Sequence, residues 1–479
     1  MAEAPLTVAV VGHTNAGKTS LLRTLTRRRD VGEVSDRPGT TRHAEAVVLA
    51  LPGAPPVRLV DTPGLEDPVG LLALVRAQPG RTPAERLRAA LSRPEAQAEF
   101  EQEAKVLRAL LAADAAFYVV DTREPVLPKH HAEVALLHDS GRPVMPVLNQ
   151  LRDPSSRWSA WRTTLAEHGL HVQAQFDAVA PFMGAEARLY RDLATLLSDR
   201  REPLEALADA LAEAAVQRQA AGWRLIAHHL LGLAALRETL SREELADAAR
   251  RADRLAAFRD RVATGAREAA WQLLQLHGFE PGDAELAGLP ALQGDWEADL
   301  FNPDLLQQVV RHLGAGALVG AALGLGLDIA LHGLTLGVGT SIGAALGGAA
   351  AQGLGPLGRL VALRATGRQD VQAEDAVLVL LAARLAALQE ALAERGHGAV
   401  QPLRPDTGQD AGPGDAAVAG STRWRALARA LSGADGLAPA RARPAWAEPG
   451  PADARRQRAD EALAGRLRAA WQAPPDSAG

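Results

Sequence analysis

The feature that most constrains this 479-residue chain is the run GHTNAGKT at positions 12–19. It fits the pattern G-x-x-x-x-G-K-[ST], and it follows an apolar run at Leu6–Val11 that we expect to be a buried strand. A helix is expected next, at Ser20–Arg27. In this order, the backbone N–H groups of the loop turn toward phosphate oxygens, and the helix adds the partial positive charge of its N-terminus. The run therefore predicts a phosphate-binding loop, and both flanks speak against a chance glycine-rich turn.

Each position of this loop has a predicted part in holding a nucleotide. Lys18 is expected to reach the β- and γ-phosphates, and Thr19 is expected to ligate Mg²⁺. The residues expected to contact the nucleotide here are Gly12, His13, Thr14, Asn15, Ala16, Gly17, Lys18, Thr19 and Ser20.

A second motif, Asp61-Thr62-Pro63-Gly64, follows the apolar run Val57–Val60. It places the Asp61 carboxylate at the end of a strand, where it can serve Mg²⁺ directly or through water. It also offers the N–H of Gly64 to the γ-phosphate. Alone, the motif could be an ordinary turn, but its spacing from the first loop favours the nucleotide role.

Between these motifs the sequence reads Arg37-Pro38-Gly39-Thr40-Thr41-Arg42. At this point it resembles the Era, TrmE and EngA family of bacterial GTPases over roughly its first 180 residues. The resemblance implies that Thr41, with Thr40 as the alternative, reaches Mg²⁺ only when the γ-phosphate is present. The family usually continues with Asp where this chain has His43. A surface Thr-Thr turn is the competing interpretation.

The resemblance also implies which residues act in GTP hydrolysis. Asn15 occupies a position at which some members hold K⁺ in place of an arginine finger, although it could simply brace the loop. Leu65 follows Gly64, where Ras-class proteins have a glutamine that orients water. Slow intrinsic hydrolysis is therefore expected, dependent on a monovalent cation, a partner or dimerisation. The expected catalytic residues are Lys18, Thr41, Gly64 and Asn15.

The segment that should read guanine departs from the family pattern N-K-x-D. Asn149 is in place, Gln150 replaces the lysine, and Asp153 comes one residue late. A bulge would let Asp153 still reach the base together with Asn149. Without one, the protein would be indifferent to the base or would use ATP. The family motif S-A-K has no clean counterpart in residues 176–180.

Composition limits the other function classes. The net charge of −5 gives no overall electrostatic footprint for nucleic acid, so no specific nucleic-acid partner is predicted. The chain has no cysteine, which excludes disulfides, thiolate metal sites and cysteine nucleophiles. Its first residues lack a basic head followed by an apolar stretch, so no secretory signal is expected. A cytoplasmic location is expected, with attachment to the inner membrane as the alternative.

The predicted organisation has three parts. Residues 1–183 are expected to form a Ras-like α/β P-loop GTPase domain with a mainly parallel six-stranded sheet. Residues 184–398 are expected to form an all-helical domain, and residues 399–479 a largely disordered tail with marginal helices around Trp424 and Trp471. The predicted strands are Leu6–Val11, Ala44–Leu51, Val57–Val60, Ala115–Asp121, Pro143–Leu148 and about Gln173–Ala180.

A glycine-rich apolar block spans residues 313–358, in which Asp328 and His332 are the only ionisable residues. Glycines recur at every fourth position, which predicts a hairpin of two closely packed helices, a glycine zipper. Each arm is long enough to cross a bilayer, so membrane contact and a soluble hairpin both remain open. The glycines in question are Gly316, Gly320, Gly324, Gly339, Gly343 and Gly347.

As a whole, the chain resembles bacterial proteins that fuse an Era-like GTPase domain to a C-terminal domain of unknown function. That resemblance supplies no cellular role. Our hypothesis is a molecular switch that binds GTP and GDP, hydrolyses GTP, couples its nucleotide state to the helical domain and acts with a protein partner that the sequence does not identify. A nucleotide-binding module with negligible hydrolysis is the main alternative.

Overall fold

The structure is a computed structural model that describes residues 5–28, 45–279, 300–301, 306, 369–397, 415–448 and 453–473. The chain divides into two compact units. The first unit comprises residues 1–217 and 393–401, and the second comprises residues 218–392 and 402–479.

A six-stranded sheet forms the centre of the first unit, with strand order β2-β3-β1-β4-β5-β6. Only β2 runs antiparallel to its neighbour, in a hairpin with β3, while the other pairings are parallel. This architecture confirms the predicted fold class. The strands are β1 (Leu6–Val11), β2 (Glu45–Leu49), β3 (Val57–Asp61), β4 (Ala115–Asp121), β5 (Val144–Asn149) and β6 (Ala174–Gln175).

Helices cover both faces of this sheet because its central strands are apolar on both sides. One face packs against α1 (Lys18–Thr26), α8 (Ala185–Leu196) and the beginning of α9 (Arg201–Ala235). Helices on the other face are α2 (Pro68–Arg76), α3 (Pro83–Leu91), α5 (Glu101–Ala112), α6 (Pro128–Asp139) and α7 (Trp158–Glu167). A short α4 (Pro94–Ala98) joins α3 to α5.

In the insertion between β3 and β4, local capping signals start α2 and α3. The carboxylate of Asp67 accepts the N–H of Gly70 and caps α2, with Pro68 at the first helical position. Helix α3 begins with a capping box, in which Thr82 and Glu85 each satisfy the other's backbone N–H. These caps fix the path of the chain directly after the second nucleotide motif.

The second unit is built mainly of helices around a separate apolar core. Helix α12 (Asp375–Ala393) is long and apolar enough to cross a membrane, but most of its side chains are buried in this core. The other elements are β7 (Glu238–Leu240), α10 (Arg242–Ala246), α11 (Ala248–Leu276), β8 (Gln369–Val371), α13 (Asp415–Leu431), α14 (Ala438–Arg441) and α15 (Ala454–Gln472). The second half of α9 also belongs to this core.

Several expectations differ from this arrangement. The first unit extends to Gln217 instead of ending at residue 183, because apolar side chains of α8 and early α9, such as Leu189 and Leu207, pack on the sheet. The region expected to be wholly helical also contains a two-stranded antiparallel sheet, in which β7 pairs with β8. The predicted sixth strand is reduced to Ala174–Gln175.

The expectation of a largely disordered tail is wrong for the residues that the structure describes after position 414. Leu427, Leu463 and Leu467 are fully buried in the core of the second unit, and Trp446 is almost so. Their burial stabilises α13 and α15, which composition alone had made marginal. The glycine-rich block at 313–358 lies outside the described residues.

Candidate nucleotide-binding site

Several of the predicted site residues lie at one edge of the sheet. Parallel pairing places Val10 of β1 beside Asp61 of β3, and Asp121 of β4 beside Asn149 of β5. The carboxyl ends of these strands therefore share one edge, which is where open α/β sheets bind their ligands.

The backbone of the phosphate-binding loop adopts conformations that favour its residue types. Gly12 and Gly17 have φ angles of 147° and 94°, and Asn15 has a φ of 65°. A Cβ atom on Gly12 would lie 2.4 Å from the carbonyl oxygen of Val119, and one on Gly17 would lie 2.3 Å from the Asn149 amide nitrogen. Glycine is thus required at both ends of the loop.

Lys18 lies at the centre of this loop and is almost fully buried. Its ammonium group donates to the carbonyl oxygens of Gly12 and His13, at 3.1 and 2.8 Å. Burial lowers the pKa of Lys18 from 10.5 to about 8, although the Asp61 and Glu133 carboxylates act in the opposite direction. The site therefore holds a poorly hydrated cation that an anionic phosphate would stabilise.

Thr19 and Asp61 come together from different motifs. The hydroxyl of Thr19, in the first turn of α1, donates to the Asp61 carboxylate at 2.7 Å. Two hard oxygen donors at this spacing, beside a phosphate loop, fit the chemistry that Mg²⁺ prefers. Ser20 follows in the same turn. Thr40 and Thr41 lie outside the described residues.

The Asp61–Gly64 segment folds against the phosphate-binding loop. The N–H of Leu65 donates to Gly12 at 3.2 Å, and a Cβ atom on Gly64 would lie 2.1 Å from the Thr14 hydroxyl. That hydroxyl is itself buried and has no hydrogen-bond partner among the residues that the structure describes. An orphaned hydroxyl of this kind is costly unless a ligand completes it, which suits a phosphate oxygen.

Glu103 anchors the next residues of this segment, a role that sequence patterns did not predict. Its carboxylate, on α5 and almost fully buried, accepts the N–H groups of Glu66 and Asp67 at 2.8 and 2.7 Å. A glutamate at the start of an amphipathic helix reads in sequence as an ordinary surface residue. Only the fold reveals that it holds the segment that follows Gly64.

A buried polar network also holds His13 of the phosphate-binding loop. His13 Nδ1 lies 2.9 Å from Glu133, and its Nε2 lies 2.7 Å from the ammonium group of Lys129. Glu133 is fully buried and also accepts the hydroxyl of Tyr118 at 2.7 Å. Burial, together with Glu133, raises the pKa of Tyr118 well above its usual value, so that this hydroxyl stays a donor. The network fixes the orientation of His13.

Asn149 links the phosphate loop to two loops that follow β5 and β6, residues 150–153 and 177–180, here called the base loops. Its amide nitrogen donates to Ala16 at 3.0 Å, and its oxygen accepts the N–H groups of Gln150 and Ala178, both at 2.9 Å. Asn149 is almost fully buried, so it holds these three segments in register. Its part in reading the base stays a prediction.

Asp153 is placed differently from the other predicted residues. Its carboxylate is exposed and accepts the N–H and hydroxyl of Ser155, at 2.8 and 2.6 Å. These bonds lower the pKa of Asp153, so it stays ionised. Arg152 stands three residues after Asn149, where the family pattern has its aspartate.

A different carboxylate, Asp177, is buried between the base loops and was not expected from the sequence. It accepts the N–H groups of Val179 and Ala180 at 3.0 and 3.1 Å, and that of Arg152 at 3.4 Å. These bonds turn the chain and end β6 after two residues. The aspartate two residues after an apolar strand was the available signal, since aspartate commonly closes such turns.

The sheet, the loop and the converging motifs define a P-loop GTPase domain. Residues 7–150 match the family described as 50S ribosome-binding GTPase. The protein belongs, over residues 162–466, to the family described as Domain of unknown function (DUF3482), which covers well over half of the chain.

Relatives with curated names are similar to the first unit. A tRNA modification GTPase MnmE from Methylobacterium radiotolerans is 49% identical over 75 residues, which are 15% of this chain and 17% of that protein. GTPase Der from Syntrophotalea carbinolica is 31% identical over 193 residues, 38% of each protein. The chain therefore spans well under half the length of both relatives.

Among solved structures, Era from Aquifex aeolicus bound to GDP and AlF₄⁻ is 21% identical, with a TM-score of 0.26. The match covers 36% of this chain and 50% of Era. The bacterial dynamin GTPase LeoA is 13% identical, with a TM-score of 0.24, over 81% of this chain and 85% of LeoA.

Proposed function

We propose that this protein binds GTP with Mg²⁺, hydrolyses it to GDP and phosphate, and acts as a molecular switch. One observation carries the proposal: Lys18, Thr19, Asp61 and Gly64 converge on a single phosphate-binding loop. The names of the relatives MnmE and Der, both GTPases, support the choice of nucleotide.

In this proposal the chain's own groups stabilise the phosphoryl group during its transfer to water. The backbone N–H groups of residues 15–18 and the ammonium group of Lys18 face the charge that develops on the phosphate oxygens. Mg²⁺ would be held by Thr19 and Asp61, with Thr41 added in the GTP state, and would neutralise phosphate charge. Gly64 senses the γ-phosphate by displacement from its contact with Thr14.

The geometry supports slow intrinsic hydrolysis. Leu65, at the position of the water-orienting glutamine in Ras-class proteins, is fully buried and has no polar atom in its side chain. Asn15 is exposed at the loop, and we propose that it holds K⁺ close to the phosphates. If neither K⁺ nor a partner accelerates turnover, the protein is a nucleotide-binding module whose shape alone depends on the nucleotide.

A second candidate function, a base-indifferent or ATP-using NTPase, is favoured by the position of Asp153. Its carboxylate is committed to Ser155, and Arg152 stands at the family's aspartate position. A hydrogen bond to a charged group contributes about 1.5–3 kcal/mol, so its loss would reduce guanine selectivity roughly ten- to hundredfold. Competition between labelled GTP and unlabelled ATP separates the two functions.

The direct test of hydrolysis is phosphate release from GTP, measured in KCl and in NaCl at equal ionic strength. The wild type should release one phosphate and one GDP per GTP. Lys18→Ala should abolish this, while the matched control Lys105→Ala, which removes an ion pair with Glu101 on α5, should not. Equal turnover in Lys18→Ala would reject the proposed chemistry.

The switch is also proposed to act on the second unit, and through residues 313–358 on a membrane. The proposal rests on the helix-rich segment directly after Gly64 and on the apolar sequence of that block. Limited proteolysis of the second unit should differ between GDP and a non-hydrolysable GTP analogue. The full chain should also float with phospholipid vesicles. Identical digests would reject the coupling, and absence from the vesicle fraction would reject membrane contact.

A further inference from the structure

Residues 394–397, here called the strap, lie against the base loops although they are distant from them in sequence. They follow α12 directly and belong to the same compact unit as the phosphate-binding loop. The N–H of Gly396 donates to the carbonyl oxygen of Val179 at 2.8 Å. His397, the last residue of the strap, is almost fully buried.

This contact is tight enough to require glycine at position 396. A Cβ atom there would lie 1.9 Å from the carbonyl oxygen of Ala178 and 2.9 Å from the hydroxyl of Thr24. The same carbonyl accepts that hydroxyl at 2.8 Å, while the N–H of Ala178 donates to Asn149. The strap therefore packs directly against Ala178, and Ala178 is the residue of the second base loop that bonds to both α1 and Asn149.

The strap also reaches the first base loop through an ion pair. Arg152 donates to the carboxylate of Glu394 at 3.1 Å, and its guanidinium carbon lies 4.7 Å from the ring centroid of Phe182. The pair is partly exposed, so it contributes little to stability. It does hold the Arg152 side chain between Glu394 and the ring of Phe182.

We propose that Glu394 and Gly396 are positioning residues for the nucleotide base: the strap orders the base loops before the nucleotide arrives. Loops that are already ordered lose less conformational entropy on binding, so the bound nucleotide dissociates more slowly. The strap does this from a segment that continues directly from α12, so retention of the nucleotide depends on the C-terminal half of the chain. This inference rests on the proposed binding of a nucleotide in the first unit.

The main test uses Gly396→Ala in the full chain. Its matched control is Gly465→Ala on α15, where an added Cβ meets nothing within 4 Å. Dissociation of a fluorescent GDP analogue should be at least about tenfold faster in Gly396→Ala, while the control should stay within about twofold of the wild type. Equal rates in the two variants, both folded by circular dichroism, would overturn the inference.

Hydrogen exchange of the nucleotide-free proteins gives a readout that does not depend on nucleotide binding. Amides of residues 176–181 should exchange faster in Gly396→Ala than in Gly465→Ala, and equal protection would overturn the inference. If the folded wild type binds no guanine nucleotide, the proposed function fails, while the exchange data still decide whether the strap orders the base loops.

A charge swap covers the case in which Gly396→Ala does not fold. Glu394→Arg should speed GDP release severalfold, and adding Arg152→Glu should restore slow release by re-forming the pair in reverse. A purely structural role would not produce this rescue. If the effects of Glu394→Arg and Arg152→Glu on the rate of GDP release are additive, the proposed role of the strap is wrong.

Discussion

Lys18 is a buried charged residue at the centre of the phosphate-binding loop. It is a cation in a loop from which water has been largely removed, with carbonyl oxygens as its immediate partners. Its pKa, lowered by burial to about 8, means that the folded, ligand-free protein opposes the charge that phosphate binding requires. The buried charge of Lys18 therefore lowers the folding stability of the ligand-free protein and raises its affinity for phosphate.

Replacing Lys18 with methionine should stabilise the nucleotide-free protein at pH 7. Because the folded-state pKa lies below the unfolded value of 10.5, the penalty is fully present below pH 8 and fades as the pH rises toward 10.5. The expected gain is up to about 3 kcal/mol at pH 7, measured by denaturant unfolding. Lys105→Met serves as the control and should change stability little. A Lys18→Met protein that is less stable at pH 7, or an advantage that grows at alkaline pH, would contradict this.

Asn15 is exposed in the phosphate-binding loop and is the proposed ligand of K⁺. If its side chain holds K⁺, the Asn15→Ala protein should hydrolyse GTP equally slowly in KCl and NaCl, while the wild type is faster in KCl. Thr14→Val, which alters the neighbouring position without removing the Asn15 amide, should keep the response to K⁺. If KCl still accelerates GTP hydrolysis by Asn15→Ala, Asn15 does not hold K⁺ and only braces the loop.

The placement of residues was predictable where a motif has fixed spacing, while their roles stay predictions. Gly12, Lys18, Thr19 and Asp61 have the placement that their spacing predicts, because the loop has very few backbone solutions. Asp177 was missed although aspartate commonly closes the turn after a strand, as it does here by accepting the N–H groups of Val179 and Ala180. Its additional bond from the N–H of Arg152 spans 25 residues and has no local signature.

At the scale of elements, the insertion between β3 and β4 shapes how the site can move. Four helices lie there, and the first turn of α5 supplies the Glu103 carboxylate that holds the backbone after Gly64. Movement of Gly64 toward a γ-phosphate would therefore pull on α5. The bonds of Glu103 could therefore transmit the nucleotide state to the helices on that face of the sheet.

Glu103→Leu should loosen this segment. It removes the carboxylate that accepts the N–H groups of Glu66 and Asp67, which are exposed residues, so each lost bond should cost about 1 kcal/mol. Hydrogen exchange should accelerate over residues 62–70. Glu103→Gln, which keeps an acceptor oxygen, and Glu101→Ala, which alters an exposed residue on the same helix, should leave the exchange near wild type. Unchanged protection in Glu103→Leu would show that other contacts hold the segment.

The bounds of a strand could be predicted where a single apolar run is buried in the parallel sheet. Strands β1 and β4 have the bounds that the sequence predicts. Strands β7 and β8 were missed, because three-residue strands pair across a long separation in sequence and carry no alternation long enough to recognise.

At the scale of the whole molecule, each unit has its own apolar core, and the C-terminal helices belong to the second. Composition rich in Ala, Gly, Pro and Arg suggested disorder because it averages over the few leucines that matter. Leu463 and Leu467 lie on one face of α15 and are both fully buried. A few such residues suffice to fold the helix onto an existing core.

Leu467→Ala should therefore destabilise the second unit by about 2–5 kcal/mol, as expected for a buried leucine whose removal leaves a cavity. Thermal unfolding of the full chain would register it as a lowered midpoint for one transition. Glu461→Ala, at an exposed position on the same helix, should have little effect. If both variants melt as the wild type does, α15 contributes nothing to the core.

The proposed binding of guanine nucleotide at the phosphate-binding loop can be measured by calorimetry with GTP, GDP and ATP in the presence of Mg²⁺. The wild type and Lys105→Ala should bind GTP and GDP alike, and Lys18→Ala should lose at least about a hundredfold in affinity because its charge-assisted bonds to two phosphates are gone. Equal binding of ATP would keep the phosphate chemistry and reject guanine recognition. Absence of nucleotide binding by the folded wild type, or undiminished affinity in Lys18→Ala, would contradict the account.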